Sequence, residues 1–247
     1  MRITLLSLIT LAALDANAQS QPVVFQSDAS QTALLELFTS EGCSSCPPAE
    51  TWLSSLKESP GLWKEFVPVA FHVDYFDRPW RDPWSSREFS DRQRAYAAEW
   101  GRPSVYTPGF VLNGNEWPRW SGLEARLKAS RPRAGVLKAT SSNQSDWQVR
   151  FMPLAPIQPA YEAHASLLAT GLTSDVKAGE NRGRRLNHDF VVMALVKGTL
   201  KTDRDTAWGQ VVLNKATGAQ SGRLALAVWV TRPGRMEPLQ AVGGWLR

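Results

Sequence analysis

The stretch Ala33-Leu34-Leu35-Glu36-Leu37-Phe38-Thr39-Ser40-Glu41-Gly42-Cys43-Ser44-Ser45-Cys46-Pro47-Pro48-Ala49-Glu50 decides the fold, because a short apolar run feeds directly into the only two cysteines of the chain. Ala33 to Phe38 has the length and apolar content of a buried strand carrying one carboxylate, Glu36. Thr39 to Gly42 reads as a turn. A helix should follow through Ala49, Trp52, Leu53 and Leu56, which recur at helical spacing. Cys43 then falls at or just before a helix N-terminus, where free N–H groups and the helix dipole stabilise a thiolate. Pro47 and Pro48 each push the preceding residue away from helical geometry, so the helix should begin only around Pro47 or Pro48.

The chemistry open to the pair follows from its spacing. Two cysteines and three histidines do not readily assemble the four ligands of a closed structural zinc site. A disulfide between Cys43 and Cys46 would close almost no loop and so would stabilise the fold little. Redox exchange suits the spacing better: one thiolate attacks a disulfide and its neighbour resolves the mixed intermediate. Glu36 either relays a proton to the resolving thiol from a buried strand or faces solvent at a sheet edge.

Met1 and Arg2, the apolar run Ile3 to Leu14, and Ala16-Asn17-Ala18 read as a secretory signal peptide over residues 1–18, cleaved near Ala18. The run is shorter than the roughly 20 apolar residues of a bilayer span. The expectation is therefore an exported protein, periplasmic or secreted, without stable membrane insertion, in a compartment that favours a resting disulfide. The net charge of +5 is scattered over the chain without a dense basic run, which argues against a nucleic-acid partner. The 11 tryptophans are expected chiefly in the core, or clustered near the cysteines as an apolar contact surface.

Taken in order, residues 19–32 read as a linker. Phe66 to Tyr75 is a second strand on which His72 and Asp74 share a face, more plausibly as a hydrogen-bonded pair than as metal ligands or catalytic groups. Phe76 to Ser90, with Trp80 and Trp84, reads as an insertion loop that either covers the cysteines or packs on the sheet. Arg87 to Trp100 has helical patterning. Val105 to Gly114 places Thr107-Pro108 at the mouth of a strand that ends in the turn Asn113-Gly114. Leu123 to Ala129 supplies a short helix. From residue 131 the pattern changes to about seven strands, over 135–140, 146–153, 161–169, 188–198, 207–213, 223–231 and 237–246, which argues for a β-sandwich. Arg182, Arg184, Arg185 and His188 lie on or beside a Gly-rich loop, as an anion or partner-domain site or, more in keeping with such arginines, a solvated turn.

The order of elements over residues 33–130 resembles the thioredoxin fold. That resemblance implies Cys43 as the exposed nucleophile and Cys46 as the resolving cysteine. It implies a cis bond at Thr107-Pro108, with Pro108 facing the disulfide and helping to hold an incoming chain. Glu36 sits one position further from the first cysteine than the usual buried acid of that fold, and Ser44-Ser45 is not the dipeptide of thioredoxin itself. Leu37 to Glu50, Phe71-His72-Val73-Asp74-Tyr75-Phe76-Asp77, Val105-Tyr106-Thr107-Pro108 and residues 178–192 resemble a family of exported bacterial thioredoxin-like proteins without an assigned function.

The fold class expected is an α/β thioredoxin-like domain over residues 33–130 followed by an all-β sandwich over 131–247. The function expected is thiol-disulfide oxidoreduction on protein or small-molecule thiols and disulfides, with a redox partner protein in prospect and no cofactor or metal. Two alternatives stand beside it. Both thiolates suit copper(I), with His72 assisting. Otherwise the chain is a secreted binding module whose cysteine pair is vestigial.

Overall fold

A computed structural model describes residues 21–118, 120–129, 131–214 and 222–246. The expected signal peptide, residues 1–18, lies outside them. The elements are β1 (Val23–Gln26), β2 (Ala33–Thr39), α1 (Cys46–Ser55), β3 (Phe66–His72), α2 (Arg87–Glu99), β4 (Gly109–Leu112), β5 (Asn115–Glu116), α3 (Leu123–Ala129), β6 (Gly135–Ser141), β7 (Asp146–Pro153), β8 (Ala160–Thr170), β9 (Leu172–Asp175), β10 (Arg185–His188), β11 (Val191–Asp203), β12 (Thr206–Val212), β13 (Arg223–Thr231) and β14 (Pro238–Trp245).

The expected division into a thioredoxin-like α/β domain and a separate β-sandwich is not what the chain builds. Twelve strands form one mixed sheet whose main path runs β1-β6-β7-β12-β11-β3-β2-β4-β5, with β8, β13 and β14 joined to it through β11. The junction is β11 against β3, parallel, with Val191 opposite Ala70. A strand of the second half thus completes the edge of the first. The core follows the same continuity: Leu34, Phe38, Val67 and Phe71 from the first half pack in one cluster with Leu168, Val192, Ala225 and Trp229 from the second. Apolar faces on both sides of the junction leave water together, so the two halves share a core as well as a sheet.

Within the expected linker, β1 pairs with β6. The rest of that segment is fastened by the fully buried Gln240. Its Nε2 donates to the carbonyls of Asp28 (3.1 Å), Ser30 (3.2 Å) and Gly135 (2.7 Å), and its Oε1 accepts from Thr32 N (2.7 Å). Polarity made the segment look like a solvated connection. Its backbone groups are instead satisfied by the Gln240 amide and by backbone partners at Pro132, Ala134 and Leu137.

Local patterning is otherwise close to the expected elements. The seven strands of the second half appear within a few residues of their expected bounds, and α2 and α3 match theirs. The turn Asn113-Gly114 has φ of 49° and 80°, the pair of positive values that a two-residue hairpin between β4 and β5 requires. The short strands β9 and β10 form their own two-stranded sheet ahead of β11.

The alternation of β2 sorts its side chains between two layers. Ala33, Leu35 and Leu37 pack with Ala49 and Leu53 of α1 and with Leu123 and Leu127 of α3. Leu34 and Phe38 pack on the opposite face with Phe89 and Tyr96 of α2. Thr39 therefore points toward α1, and Glu36 toward α2.

Candidate functional site

Cys43 closes the turn after β2, and Cys46 opens α1, both as free thiols in this structure. Gly42 precedes them because the chain passes Phe76 too closely for any side chain: an added Cβ would lie 2.6 Å from the Phe76 carbonyl oxygen. The helix begins at Cys46, one residue earlier than the prolines imply, with prolines occupying its first turn. Their missing N–H groups leave the helix terminus few donors for a thiolate. Ser45, at the N-cap, does not cap the helix; its hydroxyl lies 3.2 Å from Cys43 Sγ.

The two thiols are driven apart. A hydrogen bond from the Cys46 thiol does most to pull Cys43 down to about 6; burial opposes this and the Ser45 hydroxyl assists. Burial, followed by the hydrogen bond and charge of Cys43, pushes Cys46 well above the ordinary thiol range. Cys43 is 3% exposed and Cys46 fully buried, so the expected exposed nucleophile is a covered one. Its Sγ sits 3.7 Å from the carbonyl oxygen of Thr107. The Thr107-Pro108 peptide bond is cis, and Thr107 Oγ1 is buried without a hydrogen-bond partner among the described residues.

Glu36 is buried but serves another layer. Its carboxylate accepts from Arg92 Nε at 2.6 Å and from the Tyr96 hydroxyl, both on α2, on the face of β2 turned away from the helix of the cysteines. The buried carboxylate on the cysteine side is Glu50 of α1, to which the Thr39 hydroxyl donates. The strand period could have identified this arrangement: Thr39 shares a face with Leu35 and Leu37, whereas Glu36 does not.

Glu50 leads into a buried polar cluster. His188, at the end of β10, bonds Glu50 through Nδ1 and Glu41 through Nε2 at 3.0 Å. Burial works against the charged imidazole, but the Glu50 and Glu41 carboxylates outweigh it and push His188 up to about 10. His72, register partner of Thr39 on the neighbouring strand, bonds Asp82 through Nδ1 at 2.7 Å. Burial raises the Asp82 carboxyl, yet His72 and the backbone amides of Glu41 and Trp84 bring it below its ordinary value. His72 and Asp74 are not partners, since Asp74 bonds Ser90 instead.

Two loops hold the turn of the cysteines. The insertion after β3 packs beside the polar cluster, with Trp80 Nε1 donating to Glu41 (2.6 Å), Asp82 accepting from Glu41 N (2.8 Å), and Trp84 stacked edge-on against both histidines. From the second half, Asn181 Nδ2 donates to the carbonyls of Glu41 (2.8 Å) and Cys43 (2.9 Å), and Glu180 accepts from Ser44 N (2.8 Å). Arg182, Arg184 and Arg185 of that loop are exposed, as the solvated-turn reading has it, whereas His188 is buried. The tryptophans divide between core and surface: Trp147 and Trp229 are fully buried, Trp52, Trp117 and Trp120 cluster with Phe110, and Trp208 is exposed.

Fold and site together define a class: a mixed β protein whose twelve-stranded main sheet runs through both halves, in which a Cys-x-x-Cys turn is clamped by a loop from the second half. Residues 34–231 match the family described as "Protein of unknown function (DUF1223)", and the chain belongs to that family. No curated protein matches it. The crystal structure of a protein from Agrobacterium tumefaciens is similar at 21% identity and a TM-score of 0.63, over 87% of this chain and 94% of that one. HBP35 of Porphyromonas gingivalis is similar at 12% identity and a TM-score of 0.59, over 89% of this chain and 76% of that one. At these identities the likeness concerns the fold. No helix among the described residues is long and apolar enough to cross a membrane.

Proposed function

We propose that this protein is a thiol-disulfide oxidoreductase, exported by the segment over residues 1–18 and acting on protein or small-molecule disulfides. The observation that carries the reading is the opposite polarisation of two adjacent thiols, Cys43 lowered to about 6 and Cys46 raised by burial. A pair so divided has a thiolate ready to attack and a protonated partner held in reserve. Cys43 thiolate attacks a substrate disulfide, forming a mixed disulfide and releasing one substrate thiolate. Cys46, on losing its proton, attacks Cys43 Sγ, which expels the second substrate thiolate and leaves a Cys43–Cys46 disulfide. Two electrons pass to the substrate, and the reverse sequence oxidises a dithiol. Thr107 and Pro108 line the approach to Cys43. Exposed Ser44, Ser45 and Tyr106 mark where a substrate meets the pair.

The test is trapping. With oxidised glutathione as substrate, the Cys46→Ser variant should accumulate a stable mixed disulfide at Cys43, seen as a single glutathione adduct by intact mass. Wild-type protein should pass through to the internal disulfide, and Cys43→Ser should form no adduct at a comparable rate. If neither cysteine exchanges in the folded protein, the oxidoreductase reading fails.

A further inference from the structure

The cluster of Glu50, His72 and His188 adjoins the thiol pair, Glu50 lying one helical turn beyond Cys46, and has its own geometry. One ligand atom from each of the three lies within 4.8 Å of the others, and all three residues are buried. The remaining polar atoms of each are already committed. His72 gives Nδ1 to Asp82, His188 gives Nε2 to Glu41, and Glu50 Oε1 accepts from the Thr39 hydroxyl. What remains is His72 Nε2, together with His188 Nδ1 and Glu50 Oε2, which bond each other. His72 Nε2 is buried with no hydrogen-bond partner among the described residues, on a side chain 1% exposed. Its ring centroid stands 5.1 Å from that of His188.

We propose that Glu50, His72 and His188 form a binding site for a divalent first-row transition ion of the Zn2+ type. Two imidazole nitrogens and one carboxylate oxygen are the three-protein-ligand set of open zinc sites and of related two-His, one-carboxylate centres. At metal–ligand lengths of about 2.0–2.2 Å, ligand atoms sit about 3.0–3.6 Å apart, so side-chain shifts of about 1 Å bring these three into range. The ion takes the place of the hydrogen bond between His188 Nδ1 and Glu50. Each imidazole then keeps a carboxylate on its other nitrogen, the outer arrangement that orients metal-bound histidines and raises their basicity.

Those outer carboxylates are themselves held, Glu41 by the Trp80 indole and Asp82 by the backbone amides of Glu41 and Trp84. Charge points the same way. Glu41, Glu50 and Asp82 are all buried, and among the described residues no lysine or arginine lies within 4 Å of any of them. Three buried carboxylates facing two imidazoles are short of positive charge, and a divalent ion supplies it.

The inference does not rest on the oxidoreductase reading, and the test separates them by removing both thiols. Chelator-treated full-length protein carrying Cys43→Ser and Cys46→Ser is titrated with Zn2+ by calorimetry and with Co2+ by visible absorption. The expected result is one ion per chain at micromolar Kd or tighter, with Co2+ ligand-field bands and no thiolate charge-transfer band. In the same background His72→Gln should weaken binding by about 100-fold or more. Asp82→Asn keeps all three ligands and should weaken it by about 10- to 100-fold, the effect of losing an outer partner. Circular dichroism identifies variants that remain folded, and Asp82→Asn keeps the comparison available if His72→Gln does not fold. Absence of stoichiometric uptake by the thiol-free protein overturns the assignment, as does uptake that folded His72→Gln or Asp82→Asn leaves unchanged.

Discussion

Replacing Cys46 by alanine is expected to raise the titration of Cys43, because the Cys46 thiol is the largest single influence lowering it. In the reduced wild-type protein Cys43 is held at about 6 against an ordinary value of 9.0. At pH 7 this leaves ~90% of Cys43 as thiolate, against ~1% for an ordinary thiol. Nucleophilicity falls with basicity along a slope of about 0.4–0.5, so each thiolate is ~20-fold less reactive and the net gain is only ~4-fold. The polarisation thus governs which cysteine is charged more than how fast it reacts. A hydrogen bond to a charged group contributes about 1.5–3 kcal/mol, and one pKa unit corresponds to about 1.36 kcal/mol, so Cys46→Ala should move the inflection up by about 1–2 units.

Ultraviolet thiolate absorbance is the assay of choice, because Cys43 is 3% exposed and alkylation would also report how the site opens. An inflection near 9 in the wild type, or one that Cys46→Ala leaves in place, refutes the reasoning. The sign of the stability effect follows. A thiol whose folded value lies below its unfolded value stabilises the reduced fold most fully above 9.0, and that contribution disappears as pH falls through about 6.

Arg92→Met should destabilise the fold by about 3–5 kcal/mol in urea unfolding, because it strands the buried Glu36 carboxylate; the double variant Glu36→Leu, Arg92→Met should recover most of the loss, and a single variant as stable as wild type would refute the pairing. Asn181→Ala removes the donor shared by the carbonyls of Glu41 and Cys43 and should cost about 2 kcal/mol. Asn181→Asp should do no better, since a carboxylate has no N–H to offer two carbonyl oxygens. Both should speed tryptic cleavage at Lys177, Arg182 and Arg184, and unchanged cleavage would sink the role of this residue as a clamp.

Much of this protein was determined by its sequence alone. Period-two runs in the second half mark strands because half-buried strands alternate whatever they pair with. The spacing of Ala49 and Leu53 marks α1, and Asn113-Gly114 marks its hairpin, since both are local properties of the chain. The same run of residues brings Cys43 and Cys46 together without help from elsewhere.

Tertiary structure decided the rest, because pairing and facing are relations between distant segments. Nothing near Ala70 specifies that Val191 will lie beside it, yet that contact turns two expected domains into one sheet. Glu36 is buried as one reading of its strand allowed, but its partner is set by which helix covers that face, and α2 supplies Arg92. His72 and His188 stand 116 positions apart in the sequence (188 − 72) and become neighbours only when β10 is laid against α1. The loop holding Asn181 reads as a solvated turn because arginines beside a Gly-rich loop more often face water. That Asn181 folds inward was decided by the two carbonyl oxygens waiting at Glu41 and Cys43, which no local pattern reveals.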